Sequence, residues 1–121
     1  ASKAVQYVLK KMGIEFKVVS RDADRGDLTY EQLTADIIQA HHLIINATPV
    51  GTAPNIEEAP ALDYSAIGEK HQLFELVYNP ATTEFLKRGE AQSANTMNGI
   101  LMLQTQAIAS WHIWQRELNI E

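Results

Sequence analysis

Apolar residues recur along this chain at two different spacings, and the change from one to the other outlines its elements. Val5, Val8, Leu9 and Met12 fall three and four apart and predict a helix over Ser2–Met12, stopped by Gly13. Glu15–Ser20, with Phe16, Val18 and Val19, reads as a strand, followed by a polar loop from Arg21 to Asp27 that pivots on Gly26. Thr29 and Thr34 are both suitable N-caps ahead of the apolar positions Leu33, Ile37 and Ile38. His42–Ala47 holds the unbroken run Leu43-Ile44-Ile45, the signature of a strand covered on both faces.

Further on, Ser65–Gly68 is at most one helical turn, Gln72–Val77 a third strand, and Thr82–Lys87 a short helix closed near Gly89. Ala91–Asn95 reads as a weaker fourth strand. The longest helix spans Met97–Leu118 and sets Ile100, Leu103, Ala107, Ile108 and Trp111 on one face. The longest irregular stretch is Pro49–Pro60, and no repeat, low-complexity tract or linker interrupts the chain.

Helices that alternate with strands through long connections predict an α/β domain around a mainly parallel sheet with right-handed crossovers. Ligands on such sheets bind beyond the carboxyl ends of the strands. Here those ends are Ser20-Arg21, Ala47-Thr48 and Val77-Tyr78.

Composition narrows the function. At 121 residues the chain is one domain, and 45% hydrophobic with 21% charged residues is an ordinary globular mix. A net charge of −5 argues against nucleic-acid binding, although one anionic ligand can still be held where basic side chains and helix amides converge. The absence of cysteine excludes disulfides and thiolate metal sites. No apolar run is long enough to span a membrane, and no signal-peptide pattern opens the chain. The chain starts at Ala1, directly in helical pattern, which reads as a processed or truncated start.

Four places carry candidate chemistry. Ser20, Arg21 and Arg25 sit where a dinucleotide fold meets the adenosine ribose, so the two guanidinium groups either bracket a 2′-phosphate or belong to a solvated loop balanced by Asp22, Asp24 and Asp27. Asn46-Ala47-Thr48-Pro49-Val50-Gly51 is a polar turn directly after a buried strand, either the rigid rim of a crevice or a loop chosen for shape alone. Tyr78, in Tyr78-Asn79-Pro80, is either a packed aromatic or a ligand contact. Asn98-Gly99 opens the last helix with unobstructed amides, and Gln104 and Gln106 either interrupt its apolar pattern for a ligand or face solvent. His41, His42, His71 and His112 have no spacing typical of a metal site, so no metal is expected, and no nucleophile–base arrangement emerges.

In combination these segments resemble the shikimate dehydrogenases over essentially the whole chain. Ala1-Ser2-Lys3-Ala4-Val5 is similar to the start of the helix after that family's glycine-rich loop, and Ser20-Arg21-Asp22 stands where the family has Asn-Arg-Thr. Asn46-Ala47-Thr48-Pro49-Val50-Gly51 matches the family's Asn-x-Thr-Pro-x-Gly. Glu75-Leu76-Val77-Tyr78-Asn79-Pro80 matches its Asp-x-x-Tyr-x-Pro, with Glu for Asp, and Thr82 and Thr83 follow. Asn98-Gly99-Ile100-Leu101-Met102-Leu103-Gln104-Thr105-Gln106, with Trp114 beyond, matches the final helix. The motifs are individually weak and collectively specific by order and spacing.

The resemblance implies a Rossmann-like, doubly wound domain that here lacks its first central strand and the amino-terminal catalytic domain. Residues 1–121 would then be an NAD(P)-binding fragment whose last helix, about 97–118, packs toward that absent domain. It implies reversible reduction of 3-dehydroshikimate to shikimate with NADPH, in preference to NADH, by a cytoplasmic enzyme of aromatic amino acid biosynthesis; a homodimer is compatible with it. Cofactor contacts would come from Ala1 at the pyrophosphate end, from Ser20, Arg21, Asp22 and Arg25 at the 2′-phosphate, from Thr48, and from Leu76, Gly99 and Met102 on the nicotinamide side. Tyr78 and Gln106 would reach the substrate, and the catalytic Lys and Asp would lie outside this chain, leaving it inactive alone. Asp22 in place of Thr sets a negative charge beside the phosphate site. The competing readings are a non-catalytic nucleotide-binding or interaction domain of the same fold, and another two-domain NAD(P) dehydrogenase.

Overall fold

A computed structural model of the chain describes residues 2–76 and 79–99. Helix α1 (Ser2–Lys11) ends as the sequence requires: Gly13 takes φ 72°, the Ile14 amide donates to the Leu9 carbonyl and the Gly13 amide to Lys10. That left-handed glycine with its 6→1 and 5→2 bonds is a Schellman stop. Helix α2 (Ala35–Ala40) starts on Thr34, whose hydroxyl accepts from the Ile37 amide at 3.4 Å. Thr29 also caps, since its amide donates to Gln32 Oε1 and its hydroxyl accepts from the Gln32 amide. That reciprocal pair closes only a turn.

Strands β1 (Leu43–Asn46), β2 (Gln72–Glu75) and β3 (Asn95–Met97) form a parallel sheet in the order β1-β2-β3, with Leu43 opposite Gln72 and Gln72 opposite Asn95. Between β1 and β2 the chain makes a single 3₁₀ turn, Tyr64–Ala66; between β2 and β3 it makes helix α3 (Glu84–Ala91), capped by Thr83. Ile38 of α2, Ala66 and Ile67 at the 3₁₀ turn, Leu73 of β2, Phe85 and Leu86 of α3, and Ala94 form the core. His71 pins α2 to the start of β2. The Gly68 amide donates to its Nδ1 at 3.0 Å, so Nε2 carries the proton and donates to the Ile38 carbonyl at 2.8 Å. Among the described residues no helix is long and apolar enough to cross a membrane.

Four expectations are corrected. Glu15–Ser20 is not a strand of the sheet; its one β-contact among the described residues is the isolated bridge between Val19 and Leu28. A strand needs a hydrogen-bonded neighbour, and here the Val18 carbonyl turns to the amides of Asp27 and Leu28 instead. Secondly, the apolar face of α1 is largely uncovered among the described residues: the helix has no buried residue, and Val8 and Met12 are 51% and 66% exposed. Thirdly, Gly89 does not end the second predicted helix. It lies inside α3, where a Cβ would run into Leu73 Cδ2, so glycine is there to let helix and sheet approach.

Lastly, the strand predicted at Ala91–Asn95 lies at Asn95–Met97, because α3 continues to Ala91 and the turn that ends it uses Ser93 at φ 67°. Met97 therefore belongs to β3 and not to the last helix. The rest of that predicted helix lies outside the described residues.

Candidate functional site

Asn46, Glu75 and Thr83 meet where β1 and β2 end and α3 begins. Glu75 is 0% exposed, and its Oε2 accepts from Asn46 Nδ2 at 2.8 Å and from the Thr83 hydroxyl at 3.0 Å. Asn46, 4% exposed, uses its Oδ1 to accept from the Thr48 amide at 3.1 Å and from the Thr48 hydroxyl at 2.6 Å. The Thr48 hydroxyl in turn accepts from the Val50 amide at 3.2 Å. Gly51, at φ 93°, then lets the chain turn back with its Cα against the Glu58 carbonyl, where no Cβ would fit. The 46–51 segment is thus a hydrogen-bonded turn anchored in the core, and the reading of it as a rigid rim is the one its geometry favours.

That rim borders a crevice of about 1860 Å³. Ser20, Arg21, Asp22 and Arg25 line the same crevice, as do Thr48 and the Ser2-Lys3 start of α1. Two loops separated in sequence therefore converge on one space, although only the second follows a strand of the sheet. Small-molecule pockets hold roughly 300–1,000 Å³, so a ligand would occupy only part of this volume. The remainder lies along Ile44, Ile45 and Val19, on the side of β1 that no strand pairs among the described residues.

The basic loop is ordered by its own acids. The Asp22 amide donates to Ser20 Oγ, the Asp24 amide to Asp22 Oδ1, and the Arg25 amide to the Asp22 carbonyl. Gly26 follows because a Cβ there would come within 2.8 Å of the Val18 carbonyl oxygen. Arg25 Nε stands 3.6 Å from Asp22 Oδ2 in a largely exposed pair. Such a pair is worth little in water, so Asp22 can hold Arg25 in place without locking it away from a phosphate. Half-buried Tyr30 stands near Arg21; burial raises its hydroxyl pKa and the Arg21 charge lowers it in part.

Leu76 is half-buried, and its amide continues the ladder to the Asn46 carbonyl at 3.3 Å. Gly99 is buried, and neither residue is among those lining the crevice. Asn98, just before it, donates through Nδ2 to the Ala81 carbonyl at 2.8 Å, tying the segment after β3 to the loop after β2. Ala1, Tyr78, Met102, Gln104 and Gln106 lie outside the described residues. The described residues contain no group of three or more His, Asp or Glu that could hold a metal ion.

Sequence reasoning noticed Glu75 only as a substitution for Asp and gave Thr83 no role. The available signal was an ionisable residue inside the run Gln72-Leu73-Phe74-Glu75-Leu76-Val77. A carboxylate enters such a run at acceptable cost only when donors await it.

No protein-family model matches the chain. Among curated proteins it is similar to the shikimate dehydrogenase (NADP(+)) of Methanocaldococcus jannaschii, 33% identical over 122 residues, a match that takes in 100% of this chain and 39% of that protein. It is 28% identical to the shikimate dehydrogenase (NADP(+)) of Carboxydothermus hydrogenoformans over 128 residues, covering 94% of this chain and 46% of that one. Among solved structures it is similar to shikimate 5-dehydrogenase from Thermus thermophilus in complex with NADP(H) and shikimate, with TM-score 0.74, 26% identity, and coverage of 92% of this chain and 44% of that one. The chain thus spans less than half the length of the curated relatives it matches. With strand order, rim motif and these similarities in agreement, the chain belongs to the shikimate dehydrogenase family.

Proposed function

We propose that this chain is the cofactor-binding part of an NADP-dependent dehydrogenase that interconverts 3-dehydroshikimate and shikimate. The observation that carries the reading is the convergence of the Arg21–Arg25 loop and the Asn46–Gly51 rim on one crevice beyond the strand ends. A dinucleotide fits these residues. Two guanidinium groups face the crevice within one loop, and α1 opens on it with Ser2 and Lys3 and no acid in its first turn. Arg21 and Arg25 would take the 2′-phosphate, with Ser20 and Asp22 holding their loop, and the α1 amides near Ala1 would face the pyrophosphate. The NADP(+) in the relatives' names supports the same choice over NAD.

Bound NADPH supplies the hydride; this chain binds and orients it. Thr48 would fix the cofactor at the rim, Leu76, Gly99 and Met102 would wall the nicotinamide, and Tyr78 and Gln106 would hold the polyhydroxylated substrate. A neutral amide such as Gln106 donates and accepts at once, as alternating hydroxyl groups require. Proton transfer is assigned to a Lys and an Asp of a further domain, toward which the predicted helix beyond Met97 would pack. General acid–base catalysis is worth ~10²- to 10⁴-fold and orientation more, so this chain alone should be inert.

The test compares the complete dehydrogenase with the purified 121-residue chain. Shikimate-dependent reduction of NADP should appear with the first and not with the second. Turnover by the chain alone, or a complete protein that binds neither NADP nor shikimate, would overturn the reading.

A further inference from the structure

The hydrogen bonds at the rim run in one direction, and that direction has a chemical consequence. Glu75 Oε2 accepts from the Thr83 hydroxyl and faces Asn46 as an acceptor, which requires the NH₂ end of the Asn46 amide. Asn46 is thereby turned with Oδ1 toward Thr48, where it accepts both the Thr48 amide and the Thr48 hydroxyl proton. The hydroxyl's single proton is committed, and one of its two lone pairs is taken by the Val50 amide. What Thr48 Oγ1 retains among the described residues is one acceptor site, on a residue that lines the crevice.

We infer that Glu75 is a positioning residue that sets the hydrogen-bond polarity of the rim, so that Thr48 meets the ligand as an acceptor. The inference rests on the cofactor reading and refines it: the group opposite Thr48 is a hydroxyl or amide N–H of the dinucleotide and not one of its phosphate oxygens. With an apolar side chain in place of Glu75 nothing holds the NH₂ end of Asn46, and Thr48 loses the fixed acceptor that commits its proton. Burial makes the arrangement strict. Asn46 Nδ2 and the Thr83 hydroxyl are enclosed with Glu75, so removing the carboxylate leaves donors that water cannot reach.

The experiment uses the complete dehydrogenase, with NADP dissociation constants, steady-state kinetics and melting temperature measured on each variant. Glu75→Leu should weaken NADP about tenfold, as should Thr48→Val, and the double variant should lose no more than the larger single loss, because both act on one contact. Glu75→Gln, which can present its oxygen to both donors, should recover most of the affinity. Should Glu75→Leu fail to fold, Asn46→Asp takes its place. Two facing carboxylates should cost affinity about tenfold, and the exchange Asn46→Asp with Glu75→Gln should restore it by reversing acceptor and donor between the two positions. A melting temperature that falls while NADP affinity stays unchanged would make Glu75 merely structural and overturn the inference. Multiplying losses in the double variant, or an exchange no better than Asn46→Asp alone, would overturn it too. Wild-type protein that binds no NADP sinks the cofactor reading itself, a distinct result.

Discussion

Alanine at Gly89 should destabilise this domain, although the same change in an exposed helix stabilises it. In an exposed helix Gly→Ala gains about 1 kcal/mol. Here the new methyl would collide with Leu73 Cδ2 and stand 3.4 Å from Leu73 Cγ. Leu73 is 0% exposed in the centre of the core, so any shift of its side chain disturbs close-packed neighbours. Overpacking costs roughly 1–3 kcal/mol, so the net expectation is a loss of roughly 0–2 kcal/mol. A sharper consequence is a change of sign. Leu73→Ala removes both crowding atoms at a cost of ~2–5 kcal/mol, and in that background Gly89→Ala should recover about 1 kcal/mol. Amide hydrogen exchange at Gln72 and Leu76 reads the outcome, since both amides donate to carbonyls of the neighbouring β1 segment and report this domain whatever else the protein carries. Stabilisation by Gly89→Ala in the wild-type background would refute the close docking of α3 on β2, as would an equal loss in both backgrounds.

Other consequences can be measured on the complete protein. Arg21→Ala and Arg25→Ala should each weaken NADP roughly ten- to a hundredfold and NAD much less, since one charge-assisted contact is worth roughly 1.5–3 kcal/mol; equal losses for both cofactors, by titration, would make the loop structural. Asp22→Asn, by removing a negative charge beside the proposed 2′-phosphate position, should shift the preference toward NADP, and no shift would show that Asp22 does not oppose the phosphate. Gly26→Ala should destabilise the loop, because the obstacle to its Cβ is the Val18 carbonyl, a backbone atom that cannot rotate away; an unchanged melting temperature would count against that approach. Burial raises the Tyr64 hydroxyl pKa well above its usual value, against the lowering effect of Arg88. The unfolded chain therefore releases this proton first, and stability should fall as pH rises above about 10. Tyr64→Phe should flatten that fall while losing the bond from the hydroxyl to the Pro60 carbonyl, and an unchanged alkaline slope would remove Tyr64 as its source.

Local pattern revealed some elements and misjudged others for reasons that separate cleanly. Strands β1 and β2 were legible because an apolar run covered on both faces is a property of the segment itself. The Thr34 cap and the Gly13 stop were legible for the same reason, since their bonds close within one turn. Gly89 was not, because a helical glycine reads as a terminator unless one knows that Leu73, sixteen residues earlier (89 − 73), presses on it. Within the site, Ser20-Arg21 and Ala47-Thr48 do line one crevice, although the first pair does not end a strand of the sheet, while the Asn46–Glu75–Thr83 cluster depends on pairings between segments that no spacing records.

Two further misjudgements share one cause. The predicted strand Glu15–Ser20 does not pair with the sheet, the apolar face of α1 is largely uncovered among the described residues, and both lie along the crevice beside β1. Leu43 on that edge is itself 47% exposed, and among the described residues the sheet ends there although β1 carries the composition of an interior strand. The pattern in these segments therefore records a burial that the described residues do not provide. A parallel sheet missing its first central strand accounts for all three observations at once. In the order 3-2-1-4-5-6 the first strand separates the second from the fourth, so it would pair with Glu15–Ser20 on one side and with β1 on the other while its sheet face covered Val5, Val8 and Leu9. The pattern in these segments marks surfaces shaped for contacts that the described residues do not supply.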